Sequence, residues 1–193
     1  MNIANKLTVF RVAMIPIFII LLYLPNSYEP VNFLGAEIPF WQFIAAGIFA
    51  LAAITDYLDG HLARKYHLIT VFGEFFDPMA DKLLVLSAFI LLSDLGKVPA
   101  WIVIIIISRE LVITGLRILL AKYQGQVMAA AWPGKVKTFS QMFSIIFFLL
   151  EDAGFVLVHI PMAKILLYIC LVFTVYSGCD YFYQARHIFN QAM

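Results

Sequence analysis

Apolar runs, each close to the length that crosses a bilayer, alternate with short polar breaks from one end of the chain to the other. At about 20 residues per span, the pattern predicts helices over 5–24, 40–62, 76–94, 98–121, 135–151 and 161–184. The breaks run from Pro25 to Pro39, Leu95 to Pro99, Gln124 to Gly134 and Glu151 to Pro161, and carry Pro, Gly or Asn. They are too short to hold a second domain. The expected fold is an all-α integral membrane protein, one domain over 1–193, built as a bundle of six transmembrane helices.

Composition agrees with that pattern. Of the 193 residues, 63% are hydrophobic and 13% charged, against the roughly 25% charged usage of ordinary soluble domains. A net charge of +1 gives no reason to expect a nucleic-acid partner, and there is no fixed-period repeat. Cys170 and Cys179 both fall in the last apolar segment, where thiols behave as small buried hydrophobes, so a disulfide framework is not expected. The start, "MNIANKLTVFRVAMIPIFIILLYL", resembles a secretory signal in placing a basic residue before an apolar run. Arg11 interrupts that run early and no small-x-small cleavage site precedes "PNSYEP", so it reads as a retained first span.

Basic residues give an orientation. Lys6, Arg11, Arg64, Lys65, Lys122, Lys135, Lys137 and Arg186 fall on one side of an even-numbered bundle. The opposite breaks hold Glu29, Glu37, Asp94, Glu151 and Asp152, with Lys97 and Lys164 as their basic residues. Both termini are therefore expected in the cytoplasm, in a bacterial-type inner membrane. The stretch "DYLDGHLARKYHLITVFGEFFDPMAD", Asp56 to Asp81, lies on that same side, so an active-site cavity there would face the cytoplasm.

That stretch holds five carboxylates beside two membrane spans. Ionisable groups at membrane depth are costly and persist where they serve a site. Asp56 and Asp59 are three apart at the end of span two, and Asp77 and Asp81 are four apart at the start of span three. Each pair shares a helix face, and a chain reversal between them would bring four carboxylates together. Like charges that close drive one another's pKa upward, and divalent cations relieve the conflict. Hard oxygen donors suit Mg²⁺, Mn²⁺ or Ca²⁺ rather than zinc, because no His or Cys joins the cluster at ligand spacing; His61 and His67 read as solvated loop residues. Gly60 and Gly73 permit close backbone approach by a bulky ligand, and Arg64 offers a fork to phosphate oxygens. The substrate implied is rich in phosphate.

The combined spacing D-x2-D-G-x2-A-R-x8-G-x3-D-x3-D, carried by Asp56, Asp59, Gly60, Ala63, Arg64, Gly73, Asp77 and Asp81, resembles the signature of the CDP-alcohol phosphatidyltransferases. Members of that family move a phosphatidyl group from a CDP-linked lipid to an alcohol and release CMP. The resemblance implies that Asp56, Asp59 and Asp77 are metal ligands, that Asp81 completes a second metal site and acts as base, and that two Mg²⁺ or Mn²⁺ ions are held. It implies further that Asp59, Gly60, Ala63, Arg64 and Gly73 border the CDP moiety, and that the protein is a homodimer among membrane lipids. The chemistry suits the residue types: neutralising a diphosphate and stabilising a CMP leaving group is work for paired metal ions, and a carboxylate can take the acceptor's hydroxyl proton. Lys82, beside Asp81, is expected to point elsewhere and to snorkel or pair with an anion.

A second set of charges bears on the acceptor. Arg109 and Arg117 in "SRELVITGLR" are eight apart and share a helix face, and Lys135 and Lys137 open span five. Four cations at bilayer depth call for an anion. A structural reading pairs Arg109 with Glu110 or with lipid phosphates; a functional one makes a pocket for a phosphorylated acceptor. "NKLTVFR", "SRELVITGLR" and "GKVKT" are similar to segments of bacterial phosphatidylglycerophosphate synthases, which implies CDP-diacylglycerol as donor and sn-glycerol 3-phosphate as acceptor. Asn5, Thr8 and Arg11 fall three apart on one stripe of span one, with Thr8 and Arg11 the candidate pocket residues.

Two other functions fit parts of the pattern. A cation transporter would use the carboxylates as pathway ligands, but transporters place such ligands near the midplane on interrupted helices. An enzyme of the same class with another acceptor would be a cardiolipin, phosphatidylserine or phosphatidylinositol-phosphate synthase. Trp41, Trp101, Trp132 and Tyr181 suit interfacial belts, and the small residues of "AAGIFALAA" permit close helix packing inside the bundle or between molecules.

Overall fold

The computed structural model describes the backbone of residues 3–66, 71–124 and 132–192, and the side chains of 9–55, 82–116 and 132–183. Six helices follow one another: α1 (Ile3–Tyr23), α2 (Phe40–Tyr66), α3 (Val71–Asp94), α4 (Ala100–Gln124), α5 (Trp132–Leu149) and α6 (Met162–Ala192). Proline sets three of the starts. Pro39, Pro99 and Pro161 each stand immediately before a helix, and their carbonyls accept the first-turn N–H groups of Phe43, Ile102 and Ile165 at 2.9, 3.0 and 3.0 Å. The end of α3 is a Schellman turn: Gly96 sits at φ 71°, its N–H bonds to the Ser93 carbonyl at 3.0 Å, and the Lys97 N–H reaches Leu92 at 2.9 Å.

The predicted spans fall on these helices, with two differences. Helices α2 and α3 run further into the charged stretch than hydropathy suggests, to Tyr66 and from Val71, so that His61 is helical and His67 lies outside the described residues. Charge lowers hydropathy without lowering helix propensity, which is why the expected breakpoints at 62 and 76 fell short. The segment from Pro25 to Pro39, expected as a short break between spans, holds an antiparallel hairpin of β1 (Val31–Phe33) and β2 (Ala36–Ile38), paired Val31 to Ile38 and Phe33 to Ala36. The Leu34 carbonyl at its tip accepts the Gly154 N–H at 3.1 Å, which ties the hairpin to a 3₁₀ turn over Val156–Val158.

Successive helices run in opposite directions. At one end of the bundle Tyr23, closing α1, donates to Asp94, closing α3, at 2.8 Å. There too Gln42 of α2 meets Lys97 before α4 and Glu151 after α5, and Asp152 caps the first turn of α6 by accepting the Ala163 N–H at 2.6 Å. The C-terminal end of α2 and the N-terminal end of α3, which carry the aspartates, therefore lie at the other end. Helix α1 packs against α2 and α3, while α5 and α4 pack against α6. Phe18, Phe49, Leu84, Phe89, Leu92, Ile102, Ile106, Ile145, Leu149 and Leu167 fill the space between them, each no more than 2% exposed. Of the small residues in α2, Ala45, Ala46 and Ala52 are buried in this core, so they serve packing within the molecule. Cys170 is buried beside Thr174, in keeping with a thiol acting as a small hydrophobe, whereas Cys179, expected to be buried likewise, is exposed on α6.

Among the described residues, the stretch Met162–Tyr183 is long and apolar enough to cross a membrane by length and composition; Val9–Tyr23 and Phe40–Thr55 are shorter apolar stretches. Lys82 in α3, Arg109 and Glu110 in α4, and Lys135 and Lys137 in α5 interrupt the remaining helices.

Candidate active site

The helical backbone carries Asp56, Asp59, Gly60, Ala63 and Arg64 on the last turns of α2, and Gly73, Asp77 and Asp81 on the early turns of α3. These are consecutive helices at the same end of the bundle. The side chains of all eight, and of Thr8 and Arg117, lie outside the described residues. The donor chemistry is nonetheless set by the sequence: four carboxylates, with spacings of three on α2 and four on α3, fit hard divalent cations.

Against the middle of α3, the described side chains line a cavity of about 180 Å³ between α3, α4, α5 and α6. Lys82, Arg109, Glu110, Lys137, Gln141 and Tyr181 supply its polar lining. Glu110, 9% exposed, sits at the meeting point of three cations. Its Oε1 accepts from Arg109 Nη1 at 3.2 Å and pairs with the buried ammonium of Lys137; its Oε2 lies 4.0 Å from Lys82 Nζ. On its other side Arg109 Nη2 donates to Ser177 Oγ at 2.8 Å, and the guanidinium lies 5.8 Å from the centre of the Tyr181 ring. Lys82 donates to Thr114 Oγ1, and Thr114 donates back to the Glu110 carbonyl at 2.6 Å.

Local packing explains why these groups converge. The aliphatic stem of Arg109 packs across α6 at Gly178, where an added Cβ would stand 3.5 Å from Arg109 Cγ, an ordinary contact distance. Lys137 falls one turn into α5, where Ser140 turns its hydroxyl back to the Val136 and Lys137 carbonyls at 2.9 and 3.0 Å and presents no competing donor to the cavity.

The structure brings Arg109 and Lys137 to one cavity. Lys135 is exposed on another side of α5 and is not part of that wall. Arg11 is 1% exposed, its side chain buried within the bundle on a helix that also carries Asn5, Lys6 and Thr8 in its sequence. Lys82 is turned to an anion, as its sequence position suggests. Tyr181, expected in an interfacial belt, is instead 7% exposed under the Arg109 guanidinium, where its ring face meets a cation. Glu110 entered the sequence reading only as a neighbour of Arg109, and Thr114, Ser177 and Gln141 did not enter it. The signal for Glu110 was its charge in an apolar helix; nothing local identified Lys137 as its partner.

Comparison with known proteins agrees with the signature. The chain is 44% identical over 181 residues to the CDP-diacylglycerol–glycerol-3-phosphate 3-phosphatidyltransferase of Bacillus subtilis (strain 168), covering 94% of this chain and 93% of that one. It is 41% identical to a probable phosphatidylglycerophosphate synthase of Mycobacterium tuberculosis (strain H37Rv), across 93% of this chain and 79% of the relative. It is 35% identical to a CDP-diacylglycerol–glycerol-3-phosphate 3-phosphatidyltransferase of Rickettsia typhi, across 97% and 99%. The family pattern itself matches residues 1–176, and the chain belongs to the CDP-alcohol phosphatidyltransferase family.

Proposed function

We propose that the protein transfers the phosphatidyl group of CDP-diacylglycerol to sn-glycerol 3-phosphate, giving phosphatidylglycerophosphate and CMP, as a step of phospholipid synthesis. The observation that carries the choice of acceptor is the cavity in which Arg109 and Lys137 converge. A small phosphate monoester is the anion such a wall suits, because three cations there share the one carboxylate of Glu110 among the described residues, and an uncharged alcohol would make no use of the surplus positive charge. The names of the relatives point to the same reaction.

In this reading Asp56, Asp59, Asp77 and Asp81 hold two divalent ions, Mg²⁺ or Mn²⁺. When bound, these ions neutralise the diphosphate and stabilise departing CMP. Asp59, Gly60, Ala63, Arg64 and Gly73 border the CDP group. Arg109 and Lys137 form the acceptor-phosphate site, Arg117, Arg11 and Thr8 belong to the same side, and Lys135, outside the cavity wall, acts only through its longer-range charge. Asp81 accepts the proton of the attacking hydroxyl. The new bond joins that oxygen to the phosphorus bearing diacylglycerol, the phosphoanhydride bond breaks, and CMP carries away the bonding electrons. No covalent enzyme intermediate is needed, since no Ser, Cys or His stands at nucleophile spacing in the motif.

The same reading makes α1 to α6 six transmembrane helices in a bacterial inner membrane, with both termini and the aspartate end in the cytoplasm. It is supported by their lengths of 18 to 31 residues, about 27 to 46 Å of rise against a hydrocarbon core of about 30 Å that spans of roughly 17–25 residues cross, and by the excess of Lys and Arg at that end. It also carries a homodimer, which the mass of the detergent-solubilised particle tests.

The deciding experiment offers purified protein CDP-diacylglycerol and Mg²⁺ with a panel of glycerol 3-phosphate, serine, inositol phosphate and phosphatidylglycerol, and measures CMP. Release with glycerol 3-phosphate, nearly abolished in Asp81→Asn, is the expected result. Preference for another acceptor overturns the choice of substrate, and full release by Asp81→Asn overturns the base.

A further inference from the structure

Three helices each deliver a cation to one wall of the cavity: Lys82 from α3, Arg109 from α4 and Lys137 from α5. The side chains are long, and fixing each costs rotamer freedom. Their charges also repel one another. One carboxylate meets both difficulties, because Glu110 touches Arg109 and Lys137 through Oε1 and faces Lys82 through Oε2. A carboxylate has the wrong charge to bind a phosphate itself, so any effect it has on an anionic ligand must pass through the cations it holds.

We propose that Glu110 is a positioning residue for the acceptor's phosphate: it gathers Lys82, Arg109 and Lys137 into a preformed anion site before the ligand arrives. The proposal rests on the reading that this cavity receives a phosphorylated acceptor. The second partners of the cations fit the same role. Ser177 and Tyr181 fix the far arm and the face of Arg109, and Thr114 fixes Lys82 against the backbone of Glu110. With those groups in place, Glu110 sets the separation between cations, and an arriving phosphate finds donors in position rather than having to order them.

The test compares Glu110→Gln and Glu110→Asp with the unaltered enzyme, in detergent micelles with CDP-diacylglycerol and glycerol 3-phosphate, alongside thermal denaturation of the same preparations. Glu110→Gln keeps the shape and removes the charge, so the KM for glycerol 3-phosphate should rise roughly tenfold or more while the KM for CDP-diacylglycerol stays within about twofold. Glu110→Asp keeps the charge on a shorter arm and should recover part of the loss. A lower acceptor KM in Glu110→Gln overturns the proposal, because the carboxylate would then be a competitor of the phosphate. A lowered thermal midpoint with both KM values unchanged also overturns it, leaving Glu110 as a structural anchor. Failure of the underlying reading looks different: the unaltered enzyme itself would then not use glycerol 3-phosphate.

Discussion

Gln42 offers a way to weaken the bundle without touching the chemistry. Its side chain is 7% exposed, and its amide joins three elements. Nε2 donates to the Leu149 carbonyl at 2.7 Å and to Glu151 Oε1 at 3.0 Å, and Oε1 accepts from Lys97 Nζ at 2.8 Å. Lys97 and Glu151 are themselves an ion pair. Replacing Gln42 by Ala removes all three bonds and leaves the Leu149 carbonyl, at the end of α5 where no helical N–H follows in register, without this donor. A neutral bond contributes about 1 kcal/mol and a buried group that loses its partner costs about 1–3 kcal/mol; with the charged contacts discounted for solvent, the loss is about 2–3 kcal/mol. For a chain of this size that lowers the thermal midpoint by roughly 4–12 °C. Leu149 and Lys137 are separated by about 18 Å of rise along α5, so kcat and both KM values at 20 °C should stay within about twofold. Glu151→Gln should cost less, about 1 kcal/mol or below, because the Glu151 side chain is 40% exposed. Dye-monitored denaturation in detergent and a CMP-release assay on the same samples check both halves. An unchanged midpoint, or activity lost while the midpoint holds, would refute the assignment of Gln42 to the clamp.

Other expectations follow from the same coordinates. Lys137→Met should raise the KM for glycerol 3-phosphate roughly tenfold or more, whereas Lys135→Met, on the exposed side of α5, should raise it less and with an effect that shrinks in salt; equal effects would undo the ranking of the two lysines. A chelator should stop CMP release and added Mg²⁺ or Mn²⁺ should restore it, and activity persisting in the chelator would remove the metal ions from the account. Burial raises the pKa of Asp152, with the Ala163 N–H pulling it down, Glu151 pushing it up and Lys164 pulling it down. The folded chain thus holds this proton more tightly than the unfolded one, so the contribution of Asp152 to stability falls as pH rises from the unfolded carboxylate value, about 3.9, through the higher folded value, and is level above it. Asp152→Asn keeps an acceptor for Ala163 and should flatten that part of the curve of midpoint against pH; a steeper fall in the variant would reverse the sign.

What the sequence revealed and what it hid divide along one physical line. Helices α2, α4 and α6 were legible because apolar runs follow Pro39, Pro99 and Pro161, and because the rule linking such runs to helices is local. The hairpin at Val31–Ile38 was not, since its strands are three residues each and its tip, Leu34–Gly35, lacks an Asn-Gly or Asp-Gly pair. The aspartate motif was legible for the same reason as the helices: its pairs lie three and four residues apart, inside one helical turn. The site around Glu110 has the opposite character. Its partners are 28 residues upstream and 27 downstream, and no spacing rule reaches across two breaks to pair them. Arg109, Glu110 and Lys137 could each be recognised as an anomaly, a charge in an apolar helix, but an anomaly alone asks for a counter-charge without saying whether protein or ligand supplies it. Here part of the answer is internal, because one carboxylate meets three cations. That changes what the cations mean: the pocket is an arrangement already held together by the chain, and in the proposed reading its affinity for phosphate would depend on a residue that never touches it.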